Sequence, residues 1–595
     1  MNPVKSSSST GGSLLPTSEQ PQLKKAPTGV SAGREVTLCH NNNSPFFDLP
    51  TLIQFKIIRC LGLREVTRFA KVCRYFRDLV KQDKALERAW YRRFPSAHLH
   101  QLRTTLKTKD EQQLRDWLEP FANTGTIEPL IEQRKNTYFP VQLLFTNSKL
   151  MSLCREFELV EKLEITHSDN IYHATFSSDG QHLVTASEDK TAKIYGKEDD
   201  GSWKPKGIIS HNGLFYIATF SPDSRNLVLA SRAKGEIYSR EDNGSWKPKA
   251  TISDNGRVLF ARFTADGRQM LTASTDKTLR IYGLETDGSW QEKYTNYHNG
   301  SISFAQLSDD GRHLSILRAS GIVTIYGQKD NGSWKAEATM IHNGKGILPR
   351  FSPNYRYVMI GGKDNTVEIY GQEANGSWEI NTTIPHDVPV ESAVFSDDGR
   401  HLETRGVLRK LKIFDLQDDG SWKETVAIFN TGVFSTRFSA NGRRLLTISI
   451  NKTMKIYGLE LPGSWVEEAI LSHKSDIISA DFSADGLRLL TTNENKKARI
   501  YGRKADGSWE KQTTIVHKDY VWSANFSADG CLVVTASSDK TAKVYGLWTD
   551  GSWVEKATIR HERCDRSATF SADSRHVLTV SVDNKVRITE LRKKD

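Results

Sequence analysis

Eight histidines recur at steps of about 44 residues or twice that: His167, His211, His298, His342, His386, His473, His517 and His561. His167 and His517 are each followed by a Ser-x-Asp, with Ser187 and Asp189 after the first and Ser537 and Asp539 after the second. An imidazole with a carboxylate is the raw material of a proton-transfer pair or a metal site. Either chemistry needs further groups converging on the same point. Here the histidines come one per repeat, with no second ligand at close spacing, so a structural role fits them better. The six cysteines (Cys39, Cys60, Cys73, Cys154, Cys531, Cys564) form no Cys-x-x-Cys pair, which points away from structural zinc and toward a reducing compartment. There is no Gly-x-Ser-x-Gly, phosphate loop or His-Glu-x-x-His. No catalytic residues, metal or cofactor are expected, and the chain reads as a non-enzyme.

The elements that carry these histidines are repeats. One unit, His517 to Ile559, holds the β-rich runs "VWSANF", "CLVVTAS", "TAKVYG" and "WVEKATI", separated by Asp-Gly, Ser-Asp-Lys and Asp-Gly-Ser turns. Four short antiparallel strands per unit describe one blade of a β-propeller. Gly-Ser-Trp begins at Gly201 and returns through Gly551 in nine copies, 43 or 44 residues apart. Its tryptophan would anchor the outermost strand, which has few neighbours. Asn-Gly-Ser at Asn243, Asn331 and Asn375 alternates with Asp-Gly-Ser in other copies, so it reads as turn chemistry, not as glycosylation sites.

The unit resembles the WD repeat, with its His, Phe-Ser-x-Asp-Gly turn and Ser-x-Asp. In that family these side chains form a hydrogen-bonded network with a tryptophan. Here Tyr195 and Tyr545 stand in the tryptophan place, and their hydroxyls could still donate. The aromatic turn begins at Phe176 and recurs through Phe570 in ten units, while only nine Gly-Ser-Trp segments lie between them. The missing outer strand is expected at the other end: "LVEKLEITH" aligns with "WVEKATIRH", with Leu159 in the Trp place. One closed ring over 157-595 follows, which hides the sheet edges. Two smaller rings or an open solenoid would be the alternatives.

Ahead of the ring, residues 1-44 are rich in Ser, Thr, Gly, Asn and Pro and are expected to be disordered. Residues 46-94 and 95-156 show helical periodicity, as in "LREVTRFAKVCRYFRDLV". The stretch from Asp48 to about Phe94, with Leu49-Pro50, Val72-Cys73-Arg74 and Phe76-Arg77, resembles an F-box. The acidic residue that follows Leu-Pro in that family is absent, and Trp90 sits a turn late. The resemblance implies that Leu49, Pro50, Ile57, Ile58 and Leu61 dock a Skp-type adaptor of a cullin-based (SCF) ubiquitin ligase. The fold expected is therefore mostly β, a ten-unit WD-like propeller behind an α-helical F-box (46-94) and a helical spacer (95-156). The order of parts resembles substrate receptors of such ligases, acting in the cytoplasm on an unknown protein substrate. Nearly identical repeats also resemble F-box effectors that bacteria place in a host cytosol or nucleus. The alternative is a WD-repeat interaction scaffold with no ligase role.

Between Phe46 and Leu118 there are 16 Lys/Arg against 8 Asp/Glu. No helix-turn-helix, zinc pattern or aromatic strand platform accompanies that charge, so nucleic acid is not the expected partner. No apolar run is long enough for a membrane helix. Substrate contacts are sought in a variable position five past each His or its stand-in: Tyr172, Tyr216, Leu259, Ser303, Ile347, Glu391, Ser435, Ile478, Trp522 and Arg566. The residue before it is mostly apolar (Ile171, Phe215, Phe434, Val521), and alternation would send the two to opposite faces. Aromatic and arginine residues dominate binding hot spots. Tyr172, Tyr216, Trp522 and Arg566, joined by Arg232 and Arg563, fall in units that a closed ring makes neighbours.

Overall fold

The computed structural model describes helices α1 (Arg74–Gln82), α2 (Glu111–Leu118), α3 (Thr124–Ile131) and α4 (Phe139–Leu153), a few isolated positions before α1, and residues 151-594 apart from short loops. The expected disordered tail and most of the F-box stretch lie outside the described residues.

Forty strands follow the helices and form ten four-stranded antiparallel sheets. In blade 1 the strands a to d are Ile171–Phe176, His182–Ser187, Thr191–Lys197 and Trp203–Ser210. Blades 2 to 9 repeat this order. Blade 10 takes strands a to c from Asp565–Phe570, His576–Ser581 and Lys585–Lys593, and its strand d from Phe157–Thr166. Leu159 pairs with Leu591 as Trp553 pairs with Leu547 one blade earlier. The strand ahead of the first unit completes the last, and Leu159 holds the tryptophan register.

The turns have local causes. In Asp-Gly-Ser-Trp, Asp200 accepts the Ser202 amide at 2.8 Å while Gly201 adopts φ 77°, a conformation that costs a residue with a Cβ. Strand b is buried on both sides because it lies between two neighbouring blades. Leu183 packs toward blade 10 and Val184 toward blade 2. Each of the ten seams has its own apolar cluster, and nine of them are packed with one Gly-Ser-Trp indole, from Trp203 at seam 10/1 to Trp553 at seam 8/9. Burying ~200 Å² of indole is worth ~5 kcal/mol gross. The tenth seam, 9/10, has Leu159 and Phe157 instead, together with Phe121, Met151 and Cys154 from the helical region.

That seam is where the spacer docks. Lys556, almost wholly buried, donates to the Met151 carbonyl at 3.2 Å and to those of Ser152 (3.1 Å) and Cys154. It therefore satisfies carbonyls that the end of α4 would leave open. Arg575 donates to Asn147 Oδ1 at 2.9 Å and stacks over Phe121 with its guanidinium 4.7 Å from the ring centre. These partners lie on the a–b turns and c–d side of the blades. The histidine loops and b–c turns form the opposite face.

Candidate functional site

The opposite face is organised by a defect repeated around the ring. In blade 1, Ile171 pairs with Ser187, but His173 pairs with Ala186, so Tyr172 is an extra residue in a β-bulge. The same irregularity occurs at Tyr216, Leu259, Ser303, Glu391, Phe434, Ile478, Trp522 and Arg566. The matching position of blade 5 lies outside the described residues. A bulge bends its strand and re-aims one side chain. The residue before it is buried in every one of the nine, and eight of the nine bulge side chains are exposed, Tyr216 being half-buried.

In blade 7 the expected position is corrected by one residue. The loop is shorter there, with Asn430 three residues before Val433, whereas His167 stands four before Ile171. Phe434 is therefore the exposed bulge residue, and Ser435 returns to register opposite Ile448. Loop length was the signal that would have found it.

Tyr172 of blade 1 and Arg566 of blade 10 are linked across the ring join through Glu188. The Tyr172 hydroxyl donates to Glu188 on the b–c turn of blade 1. The Glu188 carboxyl is held below its usual range by that hydrogen bond first, then by Asn170, with burial opposing and Arg566 of blade 10 adding attraction. Trp522 packs on Tyr520 with ring centres 4.9 Å apart, and its indole donates to Ser538 Oγ at 2.7 Å. Arg563 and Arg566 are exposed. Tyr216 points elsewhere: it is half-buried and donates to the Val258 carbonyl of blade 3 at 2.5 Å, so it ties blades together. Arg232 and Ile347 lie outside the described residues. Leu259, Phe434 and Ile478 extend the apolar part of the ring of bulge side chains.

Beneath this surface the histidines are structural partners. His167 Nδ1 lies 2.8 Å from Asp189 and its Nε2 2.8 Å from Thr185 Oγ1; His517 repeats this with Asp539 and Thr535. Burial pushes the His167 imidazole down, against the pull of Asp189. Burial raises the Asp189 carboxyl, but hydrogen bonds from Thr191, the Ser168 amide and His167 outweigh it and bring the group to about 2. The tyrosines do not enter these two networks. Tyr545 instead donates at 2.9 Å to Glu555, its cross-strand neighbour on strand d. In blade 8 Tyr501 lies 3.4 Å from His473, and in blade 2 Tyr238 joins His211 through Glu236, whose Oε2 contacts both. Ser187 accepts the Asp189 amide at 3.1 Å and donates to the Asp169 carbonyl at 3.0 Å, while Thr185 supplies the hydroxyl on the histidine's other nitrogen.

Blade 10 departs from the rest beside Arg566. Where other blades begin strand a with Ile, Phe or Val, it has Asp565, fully buried, with neither carboxylate oxygen hydrogen-bonded. His561 Nε2 is 3.5 Å away. Burial, then Asp583, raise the Asp565 carboxyl to about 8, with Arg587 opposing. No group of three or more His, Cys, Asp or Glu that could hold a metal ion occurs among the described residues.

Of the adaptor contacts expected on the F-box, Leu49, Pro50, Ile57 and Leu61 lie outside the described residues. Ile58 is buried in the chain, as are Val66 and Val80.

Comparison with known families agrees with this architecture. The F-box domain matches residues 46–87, and the WD domain, G-beta repeat, matches 158–196, 246–283 and 509–546. Each WD match starts in one blade's outer strand and runs into the next blade, the offset that lets 157-166 close the ring. The chain thus carries an F-box domain and WD repeats, with ten four-stranded blades in the propeller. No curated protein sequence matches it. Among solved structures, it is similar to the C-terminal WD40 domain of Sif2, at 13% identity over 73% of this chain and 98% of that one, TM-score 0.38. It is also similar to Sqt1 from Chaetomium thermophilum (17% identity, 56% and 96% covered, TM-score 0.36) and to Saccharomyces cerevisiae Sqt1 (12%, 74% and 99%, 0.38).

Proposed function

We propose that the chain is a non-catalytic, substrate-recruiting subunit of a cullin-type (SCF) ubiquitin ligase. Its F-box docks a Skp-type adaptor, and its propeller holds a target protein. The observation that carries the reading is the F-box match at 46–87 ahead of a propeller in the same chain. Recruitment needs no active site, because holding a target beside the ligase raises the effective concentration of its lysines. The target-binding surface is the bulge ring around the join, with Trp522, Arg566, Arg563 and Tyr172 as its anchors. It faces away from the docked spacer. That ligase machinery places the chain in a eukaryotic cytosol or nucleus, its own cell's or a host's.

The test is affinity purification of the full chain from eukaryotic cells. Leu49→Ala with Pro50→Ala should remove the Skp-type adaptor and leave propeller clients in place. Trp522→Ala with Arg566→Ala should do the reverse, with unchanged thermal stability. Adaptor recovery that ignores the first pair of substitutions, or client recovery that ignores the second, refutes the respective half of the reading.

A further inference from the structure

The seam between blades 1 and 2 holds a pocket of about 470 Å³ on the face that carries the helical spacer. Its lining includes His182, Lys197, Lys206, Arg225 and Arg240, with Glu241 and Asp242 as its acidic members. Glu241 is engaged by Lys249 at 2.6 Å, and Lys206 by Glu198 at 2.5 Å. Arg225 and Arg240 are exposed and form no ion pair among the described residues.

The repeat supplies its own control. At seam 7/8 the position of Lys206 is Glu468, that of His182 is Arg444, and that of Arg240 is Arg503. There the site neutralises itself. Glu468 accepts from Arg444 at 3.2 Å, from Arg503 at 2.9 Å and from the Trp509 indole at 2.7 Å. Glu337 and Gln512, in the same register, accept from Trp378 at 3.2 Å and Trp553 at 2.9 Å. At seam 1/2 the acceptor is replaced by a lysine. The Trp246 indole N–H, in a side chain more than nine-tenths buried, has no acceptor, and neither has His182 Nδ1 a hydrogen-bond partner. Trp203, Trp334 and Trp422 also lack acceptors. Seam 1/2 adds to such an indole a formed pocket with two arginines that have no counter-ion.

We propose that the pocket between blades 1 and 2 binds a small phosphate-bearing anion, which stands where Glu468 stands between blades 7 and 8. Phosphate oxygens suit this set because arginine forks bind them in pairs, and Arg225, Arg240 and Lys206 line the same pocket. The pocket has the volume of a small-molecule site and is not on the face with the bulge ring. An occupant would tie blade 1 to blade 2 one seam from the join, where Lys197 already lies 3.3 Å from His576 of blade 10.

The experiment is isothermal titration of the full chain with pyrophosphate and with inositol hexakisphosphate at fixed ionic strength. Saturable binding at one site is expected with at least one of them, weakened tenfold or more in Arg225→Gln/Arg240→Gln. Lys206→Glu recreates the blade 7/8 arrangement, in which Glu468 lies against Gly458 as Lys206 lies against Gly196. That variant should lose the binding and melt at a higher temperature than the unliganded wild type. The proposal is overturned if neither phosphate gives saturable heat, if both variants bind as wild type does, or if a glutamate-rich peptide binds the pocket and the phosphates do not.

Discussion

Replacing Asp565 by valine should stabilise the protein, and by an amount that depends on pH. The carboxyl sits where eight other blades bury an apolar residue, and its folded-state pKa is raised from 3.8 to about 8. A carboxyl raised in this way keeps its proton in the folded state after the unfolded chain has lost its own. Its contribution to stability is therefore intact below about pH 3.8, falls as pH rises, and is fully lost above about pH 8. Each unit is worth 1.36 kcal/mol, so the interval from pH 5 to 8 spans about 4 kcal/mol; water entering around the ionised group lowers the expectation to about 3 kcal/mol. The surrounding groups do not cancel the effect. Asp583 and Asp539 push the same way, Arg587 opposes, and burial with Arg587 holds His561 at about 4, so it stays neutral across this range. The assay is urea unfolding of the full chain and of Asp565→Val, followed by tryptophan fluorescence from pH 5 to 9. The variant's advantage should grow by about 3 kcal/mol up to pH 8 and then level off. A difference that stays constant with pH refutes the reasoning, because the carboxylate would then be solvated or paired.

Other seams yield further expectations. Glu468→Ala strands Arg444, which is mostly buried, beside Arg503 and removes the acceptor of the Trp509 indole. The cost should be about 3 kcal/mol, read as a lowered melting temperature. Lys556→Met removes the donor that closes the end of α4, and limited proteolysis should then cut faster between Ile131 and Phe157. Leu159→Trp restores the repeat's own residue but meets Phe121, Met151 and Phe157 in space that other seams leave for the indole. It should cost about 1–3 kcal/mol by overpacking, measured by thermal unfolding.

The ring was legible because each of its determinants is local. Asp-Gly turns, alternating strands and a tryptophan every 43 or 44 residues define a blade, and Leu159 in the tryptophan register reveals the join. The candidate site was legible in part. A variable residue after an apolar one marks Tyr172 and Trp522, but alternation suggested an ordinary strand, and the structure has a bulge. A bulge is set by pairing with strand b, which a reading of strand a alone does not contain. The position in blade 7 falls on Ser435 for a separate reason, because Asn430 stands one residue nearer to strand a than the histidines do. The place of the tyrosines in the histidine network is read by analogy with an indole, but Tyr545 has a carboxylate opposite it on strand d and donates to Glu555 instead. The basic pocket was invisible because it forms between residues of different blades, such as His182 and Arg240, whose proximity only the closed ring creates.

The join also sets a timetable for synthesis. Strand Phe157–Thr166 is made early, but its partner Lys585–Lys593 follows roughly 420 residues later. At 5–20 residues per second, that strand waits about 20–80 s with an open edge. Nine blades can stack in order as they emerge, each on the one before it. The tenth cannot form until the C-terminal strand is released, so closure is the last and least local event of folding. Until then the nascent protein is an arc with one unpaired strand beside the helical spacer, which makes that strand the point at which a chaperone or a second copy of the chain would engage it.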